Sequence, residues 1–450
     1  MATKVFLHSL GCPKNLVDSE LMLGLVARDG GEVVLDPAAA DVLVVNTCGF
    51  IGDAKKESID AILELARHKA DDPGKRLVVT GCLVQRYGGE LQTALPEVDA
   101  FLGTGDFVRL PEILKDRTRS EAVAYGGAAH LLPDLKVPRL RTGDFFSAYL
   151  KVSEGCDHRC SFCIIPQIRG RHESRPMDAV LAEARALAAD GVIELNLIAQ
   201  DLTAYGRDRR DGSSLSRLLR ELAQIDGLRW IRLLYTYPRY VTDELLEVIA
   251  EEEKVCSYID MPLQHISDRM LQRMRRERDG AAIRRLLRRI RHRIPGVAVR
   301  TALIVGFPGE TETDFAELLE FVREARFERL GVFRYSKEEG TAAATFTNQV
   351  PEAVKRSRRA LLMQAQAQIS TAANRDLIGS EQMVLACGQD ERGRSYGRLS
   401  TQASEIDGVV HLASGIAPGT LTWVRITGSN AYDLRAEVST GKGGRSSATA

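Results

Sequence analysis

Short apolar runs rich in valine and leucine alternate with helix-length amphipathic patterns from residue 5 to residue 335 of this 450-residue chain. Runs at 5–10, 42–46 and 77–80 are followed by helical patterns at 16–28, 54–68 and 85–95. Continuous apolar strands separated by helices predict a parallel sheet covered on both faces, with ligands at the edge where the strand carboxyl ends gather. Six more runs follow at 148–153, 191–198, 229–235, 256–261, 297–305 and 330–335. They are spaced by helical patterns such as 177–189, 215–225, 242–251, 267–293 and 312–326. Six βα units predict a partial barrel whose chemistry lies at the strand carboxyl ends; periodicity alone leaves an open doubly wound sheet as the alternative.

A helical stretch at 352–373 precedes a change of texture. Short runs at 381–387, 409–412, 422–427 and 434–438, with turns at Gly393, Asp407-Gly408 and Gly419, predict a small antiparallel barrel or sandwich. The expected organisation is an α/β chain with an amino-terminal parallel-sheet domain over 1–120 and a Gly/Pro-containing linker over 121–141. A partial (β/α)6 barrel follows over 142–373, then a small β-barrel over 374–440 and a disordered Gly/Ser/Ala tail over 441–450.

Sixty-one basic and sixty-one acidic side chains cancel, so there is no global electrostatic case for a nucleic-acid partner. No run approaches the roughly 18 to 20 apolar residues that span a bilayer, and residues 1–10 run into a strand without a secretory pattern. The expectation is a cytoplasmic protein with no membrane partner. Eight cysteines in a chain of this length do not make a disulfide scaffold.

Their placement is more informative than their number. Cys156, Cys160 and Cys163 stand in Glu-Gly-Cys-Asp-His-Arg-Cys-Ser-Phe-Cys, just beyond the run that opens the central unit. Three close thiolates hold three irons of a four-iron cluster and leave the fourth open to a small molecule. Structural zinc would want a fourth nearby ligand, and the next cysteine is Cys256. Zinc and inert or disulfide-bonded cysteines are the alternatives. Cys12, Cys48 and Cys82 each end one of the first three apolar runs, so a parallel sheet would bring them together as a second three-thiolate site. Three unrelated buried cysteines are the bland reading. Cys256 and Cys387 lie within strand patterns and are expected as buried small hydrophobes.

The central triplet resembles the defining motif of the radical S-adenosylmethionine superfamily, which uses a partial six-unit barrel. A sulfonium cofactor chelated at the open iron is cleaved by one electron to give a carbon radical, chemistry beyond amino-acid side chains. Asn196 and Gln200 with Asp201, Gln264 with His265, and the turn carrying Gly306 and Gly309 are the candidate cofactor-binding residues near the strand ends. The glycines could serve turn geometry alone, and His265 could orient a ligand or cap the next helix. Nearly the whole chain resembles the methylthiotransferases, which join a three-cysteine domain, the radical domain and a terminal TRAM barrel. The matching segments are Gly11-Cys12-Pro13-Lys14-Asn15, Asn46-Thr47-Cys48-Gly49-Phe50-Ile51 and Gly81-Cys82. That resemblance implies two four-iron four-sulfur clusters and S-adenosylmethionine, one cofactor molecule giving the methyl group and a second the radical. It places radical formation at Cys156, Cys160 and Cys163, and sulfur presentation at Cys12, Cys48 and Cys82. It further implies a reducing electron donor, sulfide or a related sulfur donor, and a monomer.

Two branches of that family compete as resemblances. Pro13-Lys14-Asn15 after Cys12, where the transfer-RNA branch more often has Gln-Met-Asn, and Asn196-Leu197-Ile198-Ala199-Gln200-Asp201 look like the second. That branch converts an aspartate of the twelfth small-subunit ribosomal protein, free or in the ribosome, to 3-methylthioaspartate. The other branch modifies an adenosine in transfer RNA; a non-catalytic iron-sulfur RNA-binding scaffold is the alternative of another class. From 374 to 440 there are six arginines, no lysine and eight acids, a net of minus two that disfavours an RNA grip. Residues 267–293 carry eleven arginines against three acids, read either as a solvated helix face or as a contact for ribosomal RNA or an acidic partner. Trp423, flanked by Leu421 and Val424, is expected in a core, whereas Tyr396 and Tyr432 are open.

Overall fold

The computed structural model describes residues 2–115, 122–124, 139–276, 279–413 and 415–439. The linker expected over 121–141, apart from 122–124 and 139–141, and the tail expected over 441–450 lie outside the described residues.

The first unit runs β1 (Lys4–Ser9), α1 (Pro13–Arg28), β2 (Glu32–Val33), β3 (Val42–Thr47), α2 (Gly52–Asp71), β4 (Arg76–Gly81), α3 (Cys82–Ala94), β5 (Ala100–Leu102), α4 (Leu110–Lys115) and β6 (Ala122–Ala124). Its sheet has the order β2-β1-β3-β4-β5-β6, parallel throughout. Alternate residues of each strand serve opposite cores: Leu43, Val45, Leu77 and Val79 pack on one side, and Val42, Val44 and Val78 on the other. Burial on both faces is why these strands read as unbroken apolar runs.

The second unit runs β7 (Ser147–Lys151), β8 (Ser153–Glu154), α5 (Ile165–Arg169), β9 (Glu173–Ser174), α6 (Met177–Ala189), β10 (Glu194–Ile198), α7 (Leu215–Ala223), β11 (Trp230–Leu233), α8 (Asp243–Glu251) and β12 (Val255–Asp260). It continues through α9 (Asp268–Arg273), α10 (Gly280–Arg293), β13 (Ala298–Val305), α11 (Glu312–Ala325), β14 (Arg329–Arg334) and α12 (Glu352–Asp376). Six parallel strands in the order β14-β13-β12-β11-β10-β7 make the partial barrel. The single helix expected over 267–293 is two. Arg275 takes a left-handed φ of 55°, and the Asp279 side chain accepts from the Ala282 N–H at 2.6 Å to start α10 afresh. A Cβ on Gly280 would lie 2.5 Å from the Ile266 carbonyl oxygen. Several arginines of this segment face carboxylates of neighbouring helices, as in Arg284–Glu324, Arg289–Asp243 and Arg293–Glu247.

The last unit is a closed barrel of β15 (Glu381–Gln389), β16 (Ser395–Leu399), β17 (Val410–Leu412), β18 (Leu421–Ser429) and β19 (Leu434–Val438), ordered β15-β16-β17-β19-β18. Four of its pairings are antiparallel and β17–β19 is parallel. An odd number of strands cannot close with every neighbour antiparallel. Trp423 is not in the core: Val424 and Ile426 point inward on β18, so Trp423 and Arg425 point outward, Trp423 being 43% exposed. Tyr432 is exposed, and Tyr396 packs partly buried between barrel and radical unit.

This terminal barrel closes the concave face of the six-stranded sheet. Leu385, Cys387 and Ala403 pack with Phe146, Ile198, Trp230, Tyr258 and Val17 in one apolar cluster. Fully buried Glu194 accepts from Arg398 at 2.6 Å, Arg232 at 3.0 Å and the Ser147 hydroxyl at 2.8 Å. On the opposite side, Glu338 accepts from Lys55 at 2.8 Å, Arg86 at 3.0 Å and the Gly52 N–H at 2.8 Å. The first unit is thereby held over the carboxyl ends of the second unit's strands.

Candidate active site

Cys12, Cys48 and Cys82 lie just beyond β1, β3 and β4, as parallel strands require. The close approach depends on glycine. Gly11 has φ of 90°, and a Cβ there would lie 2.8 Å from the Cys48 Cβ and 3.1 Å from its sulfur. A Cβ on Gly49 would lie 2.8 Å from the Cys82 carbonyl oxygen. Asn15 ties the three loops together. Its Nδ2 donates to the carbonyls of Leu10 at 3.0 Å and Thr47 at 2.9 Å, and its Oδ1 stands 3.6 Å from the Cys82 sulfur. Burial pushes the Cys82 thiol up to about 11 and also raises Cys48.

Cys156, Cys160 and Cys163 occupy the loop from β8 to α5, pinned from several sides. The Cys156 N–H donates to the Gly170 carbonyl at 3.1 Å, the Ser161 N–H to Met274 at 3.0 Å, and the Ala343 N–H to Ser161 at 2.7 Å. Arg276 Nη1 lies 3.5 Å from the Cys160 sulfur, and its guanidinium sits over the Tyr237 ring at 4.2 Å. The loop lines a cavity of about 670 Å³ that also includes Gln167 and Thr341. Burial raises Cys156 and Cys163 to about 12.

A buried charge network joins the two sets of thiols. Arg169 donates through Nη2 to Asn15 Oδ1 and, at 3.4 Å, to the Cys82 sulfur; through Nη1 it meets Asp18 at 2.6 Å and Glu154 at 3.3 Å. Lys151 bridges Asp18 at 2.5 Å and Glu154 at 2.8 Å. Burial opposes charge on Glu154, yet Lys151 and Arg169 hold its carboxyl well below the usual carboxylate range. Glu154 stands two residues before Cys156, so the network ties the loop of one thiol set to the other. Lys14, two residues after Cys12, is 7% exposed, and burial lowers its pKa.

Among the other expected residues, Gln200 donates to Glu154 Oε1, beside the cysteine loop, and keeps its own buried Oε1 without a partner. Gln264 follows β12 with φ of 73°; its carbonyl accepts from the Ile304 N–H at 2.8 Å. Asn196 is mid-strand in β10, its amide donating at 3.1 Å to Ser147 within the network that anchors the terminal barrel. The Gly306 and Gly309 turn is filled by protein. A Cβ on Gly306 would lie 2.2 Å from Lys355 Cγ, and one on Gly309 would lie 3.2 Å from Arg273 Nε. His265 Nδ1 accepts from the N–H of Ser267, the residue before α9, at 3.0 Å, and the start of that helix carries no side-chain capping bond. Cys256 and Cys387 are buried strand residues. Sequence reasoning did not single out His158, whose Nε2 is 2.6 Å from Asp201 Oδ2 and whose ring stacks on Tyr237 at 3.7 Å. The Asp18–Lys151–Glu154–Arg169 network was also missed. A lysine and two acids inside apolar surroundings were its only linear signal.

Three family models match the chain: the Uncharacterized protein family UPF0004 at residues 4–103, the Radical SAM superfamily at 150–322 and the TRAM domain at 378–438. The ribosomal protein uS12 methylthiotransferase RimO of Geotalea uraniireducens (strain Rf4) is 52% identical over 439 residues, covering 97% of this chain and 98% of that one. The RimO protein of Geobacter sulfurreducens is 53% identical with the same coverage of both chains, and that of Anaeromyxobacter sp. (strain K) is 53% identical over 96% of this chain and 93% of its own. The chain belongs to the RimO family. Among solved structures, the radical S-adenosylmethionine methyltransferase TsrM from Kitasatospora setae superposes with a TM-score of 0.55 at 17% identity, over 74% of this chain and 73% of that one, a likeness of fold.

As a RimO-family protein the chain is a radical S-adenosylmethionine methylthiotransferase, working with 4Fe-4S clusters and S-adenosylmethionine. The residues fit those groups. Each triplet offers three free, soft thiol donors on backbone held by hydrogen bonds. Among the described residues no three His, Cys, Asp or Glu side chains converge as a single ion would need. Thiolates at the corners of a cluster stand further apart than that. Among the described residues no helix is long and apolar enough to cross a membrane.

Proposed function

We propose that the chain replaces a hydrogen on the β-carbon of an aspartate in ribosomal protein uS12 with a methylthio group, giving 3-methylthioaspartate. The observation that carries this reading is identity of 52–53% with uS12 methylthiotransferases over 96–97% of the chain. Cys156, Cys160 and Cys163 hold the radical-generating cluster, and Cys12, Cys48 and Cys82 hold the sulfur-presenting one. Bound there, these clusters supply the electron that cleaves S-adenosylmethionine and an iron site that carries sulfur.

The chain's own residues arrange where that chemistry happens. Glu338, clamped by Lys55, Arg86 and the start of α2, holds the sulfur unit over the radical unit. Arg169, Lys151, Asp18 and Glu154 fill the seam with a compensated network that leaves no net charge to draw in water. Gln200 presents an unpartnered buried oxygen beside the cysteine loop, a position for a donor group of the cofactor; Gln264, Gly306 and Gly309 shape the surrounding strand ends, whereas Asn196 lies further back, at mid-strand. The division of labour is 1–120 for sulfur, 142–373 for the radical and 374–440 for closing the barrel. Arg398, one of the six arginines of 374–440, pairs with Glu194, which leaves the terminal barrel's surface still less basic and suits a protein substrate. A reducing donor, sulfide or a related sulfur donor, action as a monomer and a cytoplasmic setting complete the proposal.

The test is mass spectrometry of uS12 and of total transfer RNA after anaerobic incubation with reconstituted enzyme, sulfide, reductant and S-adenosylmethionine. A gain of one methylthio group on a uS12 aspartate is expected. The same gain on transfer RNA alone would overturn the reading.

A further inference from the structure

Lys14 is a buried lysine with no anion in direct contact, although Cys12, Glu154 and Asp260 lie close enough to act on it electrostatically. It occupies the first turn of α1, where no acidic residue stands and where the helix's own N–H groups already carry partial positive charge. It is 7% exposed, beneath the rim made by exposed Gly11 and part-exposed Cys12 and Pro13. Among the described residues its ammonium has no hydrogen bond or ion pair. Its one close polar contact is the face of Tyr235, 3.1 Å from the ring centroid. A cation–π contact offsets only part of the cost of burying an ammonium. Tyr235 belongs to the radical unit, beyond the end of β11, with φ of 62° and its N–H donating to Asp260 at 3.0 Å. Lys14 therefore reaches from the first unit across the seam.

The other buried or nearly buried cations described along this seam are matched. Lys151 and Arg169 pair with Asp18 and Glu154, Arg139 with Glu20 and Glu183, Arg86 with Glu338 and Arg300 with Asp260. Lys14 stands apart from this pattern. A substrate that loses hydrogen at one thiol set and gains sulfur at the other must lie in this seam. The side chain to be modified carries a carboxylate, one atom from the reacting carbon. We infer that Lys14 is the specificity-determining cation that takes the carboxylate of the substrate aspartate in the seam between the two cysteine sites. The inference rests on the proposed function, and it gives Lys14 a directly hydrogen-bonded anion, which none of the described side chains supplies. A charge-assisted hydrogen bond from Lys14 would fix the β-carbon relative to both thiol sets and reject a neutral side chain.

The test is a binding cycle on the anaerobically reconstituted full chain, using a synthetic uS12 peptide that contains the target aspartate and its Asp→Asn counterpart. The unaltered protein is expected to favour the aspartate peptide by about 10-fold or more, the scale of one charged hydrogen bond. K14M should remove that preference, and K14R should restore part of it. Equal weakening of both peptides by K14M would overturn the inference, because a merely structural lysine does not read the substrate's charge. A retained preference with altered S-adenosylmethionine affinity, or with an altered reduction potential at the Cys12 site, would also overturn it and assign the cation to those anions. If the unaltered enzyme leaves the aspartate peptide unmodified but methylthiolates transfer RNA, the functional reading itself fails, and that outcome is separate from the behaviour of K14M.

Discussion

Glu194→Gln should be among the most damaging single changes outside the thiol sites, although it removes only a charge. The carboxylate is fully buried and receives Arg398, Arg232 and Ser147, so it joins β10 of the radical unit to β16 of the terminal barrel. Burial opposes its ionisation, but the two guanidiniums hold the carboxyl down to about 2 against an ordinary 4.5. At about 1.4 kcal/mol per pH unit, that difference corresponds to about 3 kcal/mol. Breaking a buried ion pair by removing one partner gives a similar magnitude, about 3 to 5 kcal/mol, because the other charges stay buried. The sign in pH follows from the lowered pKa. The contribution is complete above about 4.5 and is lost as pH falls towards 2, so the stability gap between the two proteins should close on acidification. The assay is calorimetric unfolding at neutral pH, with limited proteolysis to score release of the terminal barrel, on Glu194→Gln, Arg398→Met and the double variant. The double variant should lose less than the two single losses added together. A loss below about 1 kcal/mol in Glu194→Gln, or strict additivity, would refute the reasoning.

The thiol sites and the Gly306 turn give the remaining predictions. Alanine at Cys156, Cys160 or Cys163 should abolish formation of 5′-deoxyadenosine, whereas Cys48→Ala should retain some of it and yield no methylthio product; normal product from Cys48→Ala would exclude its triplet as the sulfur site. Gly306→Ala should cost about 1 to 3 kcal/mol in an unfolding titration, since φ is 71° and the new Cβ would meet Lys355 Cγ at 2.2 Å. A Gly306→Ala protein as stable as its parent would show that the Lys355 stem yields freely.

The parallel sheets were legible because both faces of their central strands, such as β3, β10 and β11, are buried, so local composition carries the topology. Val42 to Val45 read as a strand whichever side each residue serves. Failures came where a neighbour outweighed local pattern. The helical period of 267–293 continues through Arg275, but that residue turns left-handed and Gly280 must pass the Ile266 carbonyl. Trp423 looked apolar enough for a core, yet inward and outward faces of a small barrel are set by register, and its neighbours Val424 and Ile426 take the inside. The glycine turn at 306–309 read as cofactor-binding or as turn geometry alone, and the sequence carried no sign of the Lys355 and Arg273 side chains that pack against it.

By itself the sequence determined the succession of two parallel α/β units and a small β unit, and the position of six cysteines beyond apolar runs, since strand burial and cysteine spacing are properties of local stretches. It could also place each thiol at a strand end, because parallel strands share one direction. Only the tertiary structure decided how the two thiol sets are joined. Asp18, Lys151, Glu154 and Arg169 are scattered over more than 150 positions yet form one network. Only the fold shows which charges that network neutralises and that Lys14 is left outside it. Charge pairing acts through space over a few ångströms, and separation along the chain does not report that distance.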